Sequence, residues 1–138
     1  MARKSYRVGR SRTGLGLFAT ASIAEDEFIV EYTGRRISHA EAKRREGRGA
    51  RYIYEINSRW SIDGSPRSNV ARYANHSCRP NAESDVLKGK VILRAIKPIE
   101  PGEEITYDYG EEYFELFFAP DGCQCEKCRE RRRKRDKR

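Results

Sequence analysis

The placement of the cysteines constrains this chain more than any other feature. Cys78 stands alone in "YANHSCRPN", residues 73–81, while Cys123, Cys125 and Cys128 crowd together in "CQCEKC". Zinc in a structural site takes four ligands in a tetrahedron. The C-x-C-x2-C triplet supplies three, and a single cysteine is left to supply the fourth. Cys78 is the most economical choice. The competing reading makes Cys78 a small buried hydrophobe, as free cysteines often are.

A staple of this kind suits the composition. The chain has 138 residues, of which 37% are hydrophobic. That length predicts one domain with a modest core, and a small core often relies on a metal or on disulfides. No stretch is apolar for long enough to span a membrane. The opening "MARKSYRVGRSRTG" has no apolar segment of the signal-peptide kind. The expectation is a reducing compartment, where four cysteines more often bind metal than pair with one another.

Charge is distributed unevenly. The formal net charge is +8, and residues 129–138, "RERRRKRDKR", hold eight basic and two acidic residues. Residues 1–24 hold five basic residues and no acid, which leaves 16 basic and 19 acidic residues in the body, a balance of -3. Basic ends suit a polyanion such as nucleic acid, and an acidic body suits a cationic substrate. The plainer reading of the tail is a solvated, disordered segment.

Short β-type segments recur along the body. "TGLGLFAT" (13–20), "EFIVEY" (27–32), "KVILRAI" (90–96) and "EITYDYG" (104–110) read as strands. "RYIYEIN" and "RWSIDG" read as a strand pair around Asn57-Ser58. "ISHAEAKRREG" reads as the one helix, with Ser38 and Glu41 as a capping box and Gly47 as its stop. The predicted class is mostly β with minor helix. The "GLG" at 14–16 lacks the strand–G-x-G-x-x-G–helix setting of a dinucleotide site and alone reads as an ordinary turn. Motifs for acyl or phosphoryl transfer are missing from the sequence. His39 is expected on a solvated helix surface, and His76 in "NHSC" is either a structural residue or a ligand or base.

Taken together, five segments carry a family resemblance. "RSNVARYANHSCRPNA" followed by "PGEEITYDYG" closely resembles the two signature motifs of SET-domain protein lysine methyltransferases. "GLGLFA" is similar to the family's N-terminal G-x-G motif, "EYTGRRIS" to its second block, and "CQCEKC" to its zinc-binding post-SET segment. The matches occur in family order across residues 8–128.

The resemblance implies a SET-domain β fold of several short sheets, with a knot-like threading of its C-terminal part. It implies the SET domain at 8–115 and a post-SET zinc segment at 116–128, which leaves an N-terminal basic cap at 1–7 and the basic tail at 129–138. It implies S-adenosylmethionine as cofactor, held by Gly14, Leu15, Gly16, Arg72, Asn75 and His76. Tyr109 matches the family's catalytic tyrosine, Tyr32 a second active-site tyrosine, and Tyr107 a position that is Phe or Tyr in the family. Tyr52 and Tyr54 fall in the strand that borders cofactor and substrate channel. One structural zinc per chain is implied on Cys78, Cys123, Cys125 and Cys128, closing the C-terminal segment over the active site. Three departures stand out. The post-SET spacing is C-x-C-x2-C where C-x-C-x4-C is usual, no cysteine-rich segment precedes the domain, and Arg35 replaces a common acid.

The implied activity is S-adenosylmethionine-dependent methylation of a lysine, mainly to the mono- or dimethyl state. The expected substrate is a histone tail or another basic protein, and Glu111, Glu112, Glu115 and Asp121 favour a basic peptide. Two alternatives are methylation of a ribosomal or DNA-bound protein, and an inactive zinc-stapled module that binds nucleic acid. Nucleic-acid contact through the basic tail is a further expectation, a membrane partner is not expected, and oligomeric state is left open. A standalone domain of this kind points first to the cytoplasm or nucleoid of a prokaryote, with the nucleus or a host nucleus as the alternative.

Overall fold

A computed structural model describes residues 4–11 and 14–109. The triplet Cys123, Cys125 and Cys128, the four acids from Glu111 to Asp121 and the basic tail lie outside the described residues.

Among the described residues, the strands form three small sheets. The first holds β1 (Tyr6–Ser11), β2 (Gly14–Ala19), β7 (Asn75–His76) and β10 (Glu104–Tyr107) in the order β1-β2-β10-β7. The second is β3 (Phe28–Tyr32), β9 (Lys90–Ala95) and β8 (Ala82–Leu87), in that order. In the third, β6 (Trp60–Asp63) lies between β4 (Arg35–Ser38) and β5 (Ile53–Glu55). The single α-helix among the described residues, α1 (His39–Gly47), packs against this third sheet. The mostly-β class with minor helix and several short sheets therefore holds.

Alternation explains the strands that the sequence announces. In β9 the side chains of Val91, Leu93 and Ala95 are fully buried while Lys90 is exposed. They join Leu17, Ile23, Ile99 and Ile105 in one core shared by the first two sheets. Burying a leucine or isoleucine of this kind stabilises the fold by about 1.5–3 kcal/mol.

Helix α1 starts where the capping pattern places it. Ser38 is the N-cap, and its hydroxyl accepts from the Glu41 backbone N–H at 3.1 Å. The Glu41 carboxylate does not complete the box; it turns to Arg44 and Arg45 instead. Gly47 is the last helical residue, and the left-handed position after it belongs to Gly49, at φ +96°. Arg45 also pairs with the buried Asp63 of β6, which pins the helix to its sheet. Burial alone would raise the Asp63 carboxyl, but hydrogen bonds from Ser65 and from Arg45 outweigh it and hold it below its ordinary value.

Four strands were not expected. In β8, "AESDVL", two acids hide the strand, and both Glu83 and Asp85 are held by Arg94 of β9, at 2.7 and 3.2 Å. The β8–β9 hairpin turns through Lys88 and Gly89, at φ +51° and +77°, the positive pair that a tight two-residue turn requires. The strand β4 carries one buried residue, Ile37, and β7 is two residues long. Tyr6 and Arg7, expected in the N-terminal cap, pair with Ala19 and Phe18 as the start of β1.

The topology brings distant segments together at β10. It runs antiparallel to β2 and parallel to β7, so it is inserted between the N-terminal hairpin and the "NHSC" segment. Asn81, 6% exposed, clamps it from the side. Its amide donates to the Glu104 carbonyl at 2.8 Å and accepts from the Thr106 N–H at 2.9 Å.

Candidate active site

A cavity of about 360 Å³ opens between the third sheet, α1 and the end of β10. Tyr32 and the pair Tyr107 and Tyr109, which come from two distant stretches of sequence, all line it, with Tyr52, Tyr54, Ser84 and Arg72. One face of α1, formed by His39, Ala42, Lys43 and Glu46, closes a side. Those positions are spaced i, i+3, i+4 and i+7, which places them on one face of a helix. His39 is thus exposed, as expected, but it faces the mouth of the cavity.

The tyrosines are held by the backbone around them. Tyr32 is 4% exposed and donates its hydroxyl to the Tyr52 carbonyl at 2.6 Å. Tyr109 donates to the Ala74 carbonyl at 2.5 Å. In each case the proton is committed to the protein, so the phenol oxygen keeps lone pairs available as acceptors. Tyr107 and Tyr109 are two residues apart, and their rings touch at 4.8 Å between centroids. Tyr54 packs on Tyr32 at 5.9 Å and shares a hydrogen bond with Ser84 at 2.8 Å. The result is an aromatic-walled pocket with carbonyl and hydroxyl acceptors and a charged rim that includes Lys43, Glu46, Arg51, Glu55 and Asp108.

Of the residues expected to hold a cofactor, Arg72 alone lines this cavity among the described residues. Its guanidinium lies over Tyr52, 4.1 Å from the ring centroid, and it donates to the Ser65 carbonyl. Its Nε is buried with no acceptor among the described residues. The others form a group beside the cavity. The Asn75 amide donates to the Leu15 carbonyl at 3.0 Å, to Ser11 at 3.1 Å and to Glu104 at 2.7 Å. A Cβ at Gly16 would lie 2.6 Å from the Glu104 carboxylate and 3.2 Å from the Asn75 amide, so a larger residue there would displace these side chains. Gly14, at φ +125°, has no described residue within 4 Å of where a Cβ would lie. His76 links the two groups. Its Nδ1 accepts from the Tyr109 backbone N–H at 3.1 Å, and the two rings are 5.3 Å apart. Burial lowers the His76 pKa, partly offset by the nearby Asp108 carboxylate.

Cys78 is half-buried, forms no disulfide among the described residues and lies 3.5 Å from His76 Nε2. It is thus placed beside the tyrosine cluster through His76. The three cysteines expected to join it are outside the described residues.

Asn69 escaped the sequence reading. It is 1% exposed, accepts from the Thr33 N–H at 3.0 Å and donates to the Gly64 carbonyl at 3.0 Å. Gly64 in turn donates to the Tyr52 carbonyl that receives the Tyr32 hydroxyl, at 2.6 Å. Asn69 therefore clasps the backbone on both sides of Tyr32. Its only signal in the sequence is a polar residue just before the "VARYANHSC" run. Asn69→Ala leaves a buried donor and a buried acceptor without partners, at about 1–3 kcal/mol each. It is expected to lower the melting temperature by about 10 °C. Calorimetry checks this, and a melt unchanged from wild type would show that the clasp carries no stability.

The SET-domain family model matches residues 14–110. Among curated proteins, the histone-lysine N-methyltransferase set-2 of Caenorhabditis elegans is 42% identical over 118 residues, covering 78% of this chain and 8% of that protein. Human histone-lysine N-methyltransferase SETD1A is 38% identical over the same length, covering 78% of this chain and 7% of its own. The chain thus spans under a tenth of the length of these two relatives. Among solved structures, polycomb repressive complex 2 of Chaetomium thermophilum superposes with a TM-score of 0.73 at 32% identity, over 84% of this chain and 16% of that one.

Proposed function

The chain belongs to the SET-domain family, and on that premise we propose that it is a protein-lysine N-methyltransferase acting on a histone or another basic protein. The observation that carries this reading is the meeting of Tyr32, Tyr107 and Tyr109 around one cavity, with two of their hydroxyls spent on backbone carbonyls. Such a cavity suits the side chain of a lysine. At pH 7 about 1 in 2,500 free lysines is neutral, and only the neutral amine is a nucleophile. Aromatic walls favour the neutral form by desolvation. They also hold the amine in one orientation, which can supply several kcal/mol of barrier reduction, of order 7 or more in the best cases. Tyr109 acts as an orienting acceptor; a neutral phenol is a poor base at this pH.

S-adenosylmethionine, when bound, supplies the methyl group on a sulfonium. The residues present fit such a group. Among the described residues, the Arg72 Nε at the cavity wall has no acceptor and nothing lies over Gly14, two places where a polar ligand would complete the surface. Gly14, Leu15, Gly16, Arg72, Asn75 and His76 would hold it. Cys78 would hold a structural zinc with Cys123, Cys125 and Cys128, and that zinc takes no part in the chemistry. A histone substrate would place the protein in a nucleus, the alternative to the prokaryotic cytoplasm or nucleoid expected first.

Tyr107 bears on the number of methyls added. It is 7% exposed and packs on Tyr109. Its hydroxyl takes up room near the amine that a further methyl would need. The wild type is expected to stop mainly at mono- or dimethyl-lysine, and Tyr107→Phe to go further. Mass spectra of a methylated peptide over time check this, and an unchanged product distribution in an active variant would refute it.

The reading as a whole is tested by incubating the full chain with methyl-labelled S-adenosylmethionine and purified core histones. Label on a histone lysine is expected. Cofactor binding by calorimetry without transfer to histones or to other basic proteins would overturn the assignment.

A further inference from the structure

Three segments without a single acidic residue meet on one face of the domain: 33–38, 57–61 and 86–92. Arg36 joins them. In the antiparallel β4–β6 pair, Ser38 lies opposite Trp60 and Arg36 opposite Ile62, so Arg36 and Trp60 are diagonal neighbours on one face. The Arg36 guanidinium lies 5.9 Å from the Trp60 ring centroid. The same side chain donates to the Gly89 carbonyl at 3.3 Å, which draws the tip of the β8–β9 hairpin against the third sheet. Arg59 precedes Trp60, Lys88 and Lys90 flank Gly89, and Arg35 precedes Arg36. All five cations are exposed, and Trp60 is 40% exposed.

These charges have no acidic partner among the described residues. Among the described residues, none of Arg35, Arg36, Arg59, Lys88 and Lys90 pairs with a carboxylate. The acids of β8 next to the hairpin, Glu83 and Asp85, are both taken by Arg94. None of the five cations lines the cavity. Five like charges gathered without a carboxylate partner among the described residues create a local positive field that suits a polyanion.

We propose that this face docks on the phosphate backbone of duplex DNA. Proteins that hold single strands offer successive aromatic faces for unpaired bases. Here there is one ring, and Arg36 already lies over it. What remains is a cluster of lysines and arginines, the groups that contact phosphates in either grip. The docking is separate from the catalytic reading, because neither the five cations nor Trp60 lines the cavity. It also differs from the expectation that nucleic acid is held by the tail, since it places contacts on the folded body.

Trp60 is the only tryptophan in the chain, so its fluorescence reports on this face directly. The full chain is titrated with a labelled 20-base-pair duplex (roughly two helical turns) at several salt concentrations. The Trp60 signal is expected to change on saturation. Arg59→Glu/Lys88→Glu/Lys90→Glu is expected to weaken binding at low salt by about tenfold or more and to reduce the slope of log K against log salt by roughly 3. Methylation of a short peptide should stay within about twofold. The milder Lys88→Ala/Lys90→Ala pair, judged beside thermal melts, decides the matter if the triple variant fails to fold. Its expected slope change is roughly 2. A silent Trp60, or unchanged affinity in a folded variant, would place the DNA elsewhere and overturn the proposal. Equal or tighter binding of a single strand of the same length would overturn the duplex assignment.

Discussion

Tyr109→Phe is expected to lower kcat for peptide methylation by about 10²–10³-fold while leaving the KM for peptide nearly unchanged. Phenylalanine keeps the ring, and with it the contacts to Tyr107 at 4.8 Å and to His76 at 5.3 Å. It removes the oxygen that is anchored on the Ala74 carbonyl, on a residue that lines the cavity. If that oxygen orients the amine or the transferring methyl, the loss falls on the transition state, and a single preorganised polar group of this kind is commonly worth about 3–4 kcal/mol. An effect on kcat and kcat/KM together, with KM spared, marks an interaction made only in the transition state. The stability cost is smaller, about 1 kcal/mol for one lost hydrogen bond. Thermal melts therefore separate a folding defect from a chemical one. A kcat within threefold of wild type would reduce Tyr109 to a piece of the wall.

The same contrast between local and distant signals explains how much of the molecule could be read from its sequence. Strands with clean alternation, such as β9, and the helix cap at Ser38 are local features, and the structure repeats them. β8 was illegible because its stability comes from across the sheet. Glu83 and Asp85 are poor strand formers that become acceptable only once Arg94 of β9 lies opposite. β7 is stabilised by β10, which is met only later in the chain. The cavity has the same character. Composition alone gave eight tyrosines and no way to choose among them. Family resemblance picked out Tyr32, Tyr107 and Tyr109, and the structure brings all three to one wall. It gave no sign of Ser84, which enters the cavity on an unexpected strand, or of Asn69, whose work is done on backbone groups. Asn75 illustrates a second limit. A residue expected to touch a cofactor also ties β2, β7 and β10 together through Leu15 and Glu104, so its loss would disturb the fold along with any ligand.

Cys78→Ser is expected to release zinc from the purified protein and to abolish methyl transfer. The argument starts from position. The Cys78 thiol is 3.5 Å from His76 Nε2, while His76 Nδ1 holds the backbone N–H of Tyr109. A metal on Cys78 is therefore two side-chain contacts from the tyrosine expected to orient the reaction. If Cys123, Cys125 and Cys128 share that metal, the site also fastens the C-terminal segment beside the cavity. Binding free energies for structural zinc run to about 10–16 kcal/mol at pH 7, far above what one hydrogen bond supplies. Serine is close in size to cysteine, but its hydroxyl stays protonated at neutral pH and is a poor zinc ligand. A tetrahedral site reduced to three thiolates holds its metal weakly. Metal analysis should fall from one zinc per chain toward zero, and a strong chelator should reproduce the loss of activity in the wild type. Zinc retained at full occupancy in an active Cys78→Ser protein would show that the fourth ligand is another residue. Cys78 would then revert to the small buried side chain of the competing reading, and the C-terminal triplet would have to close its site without reaching the "NHSC" segment.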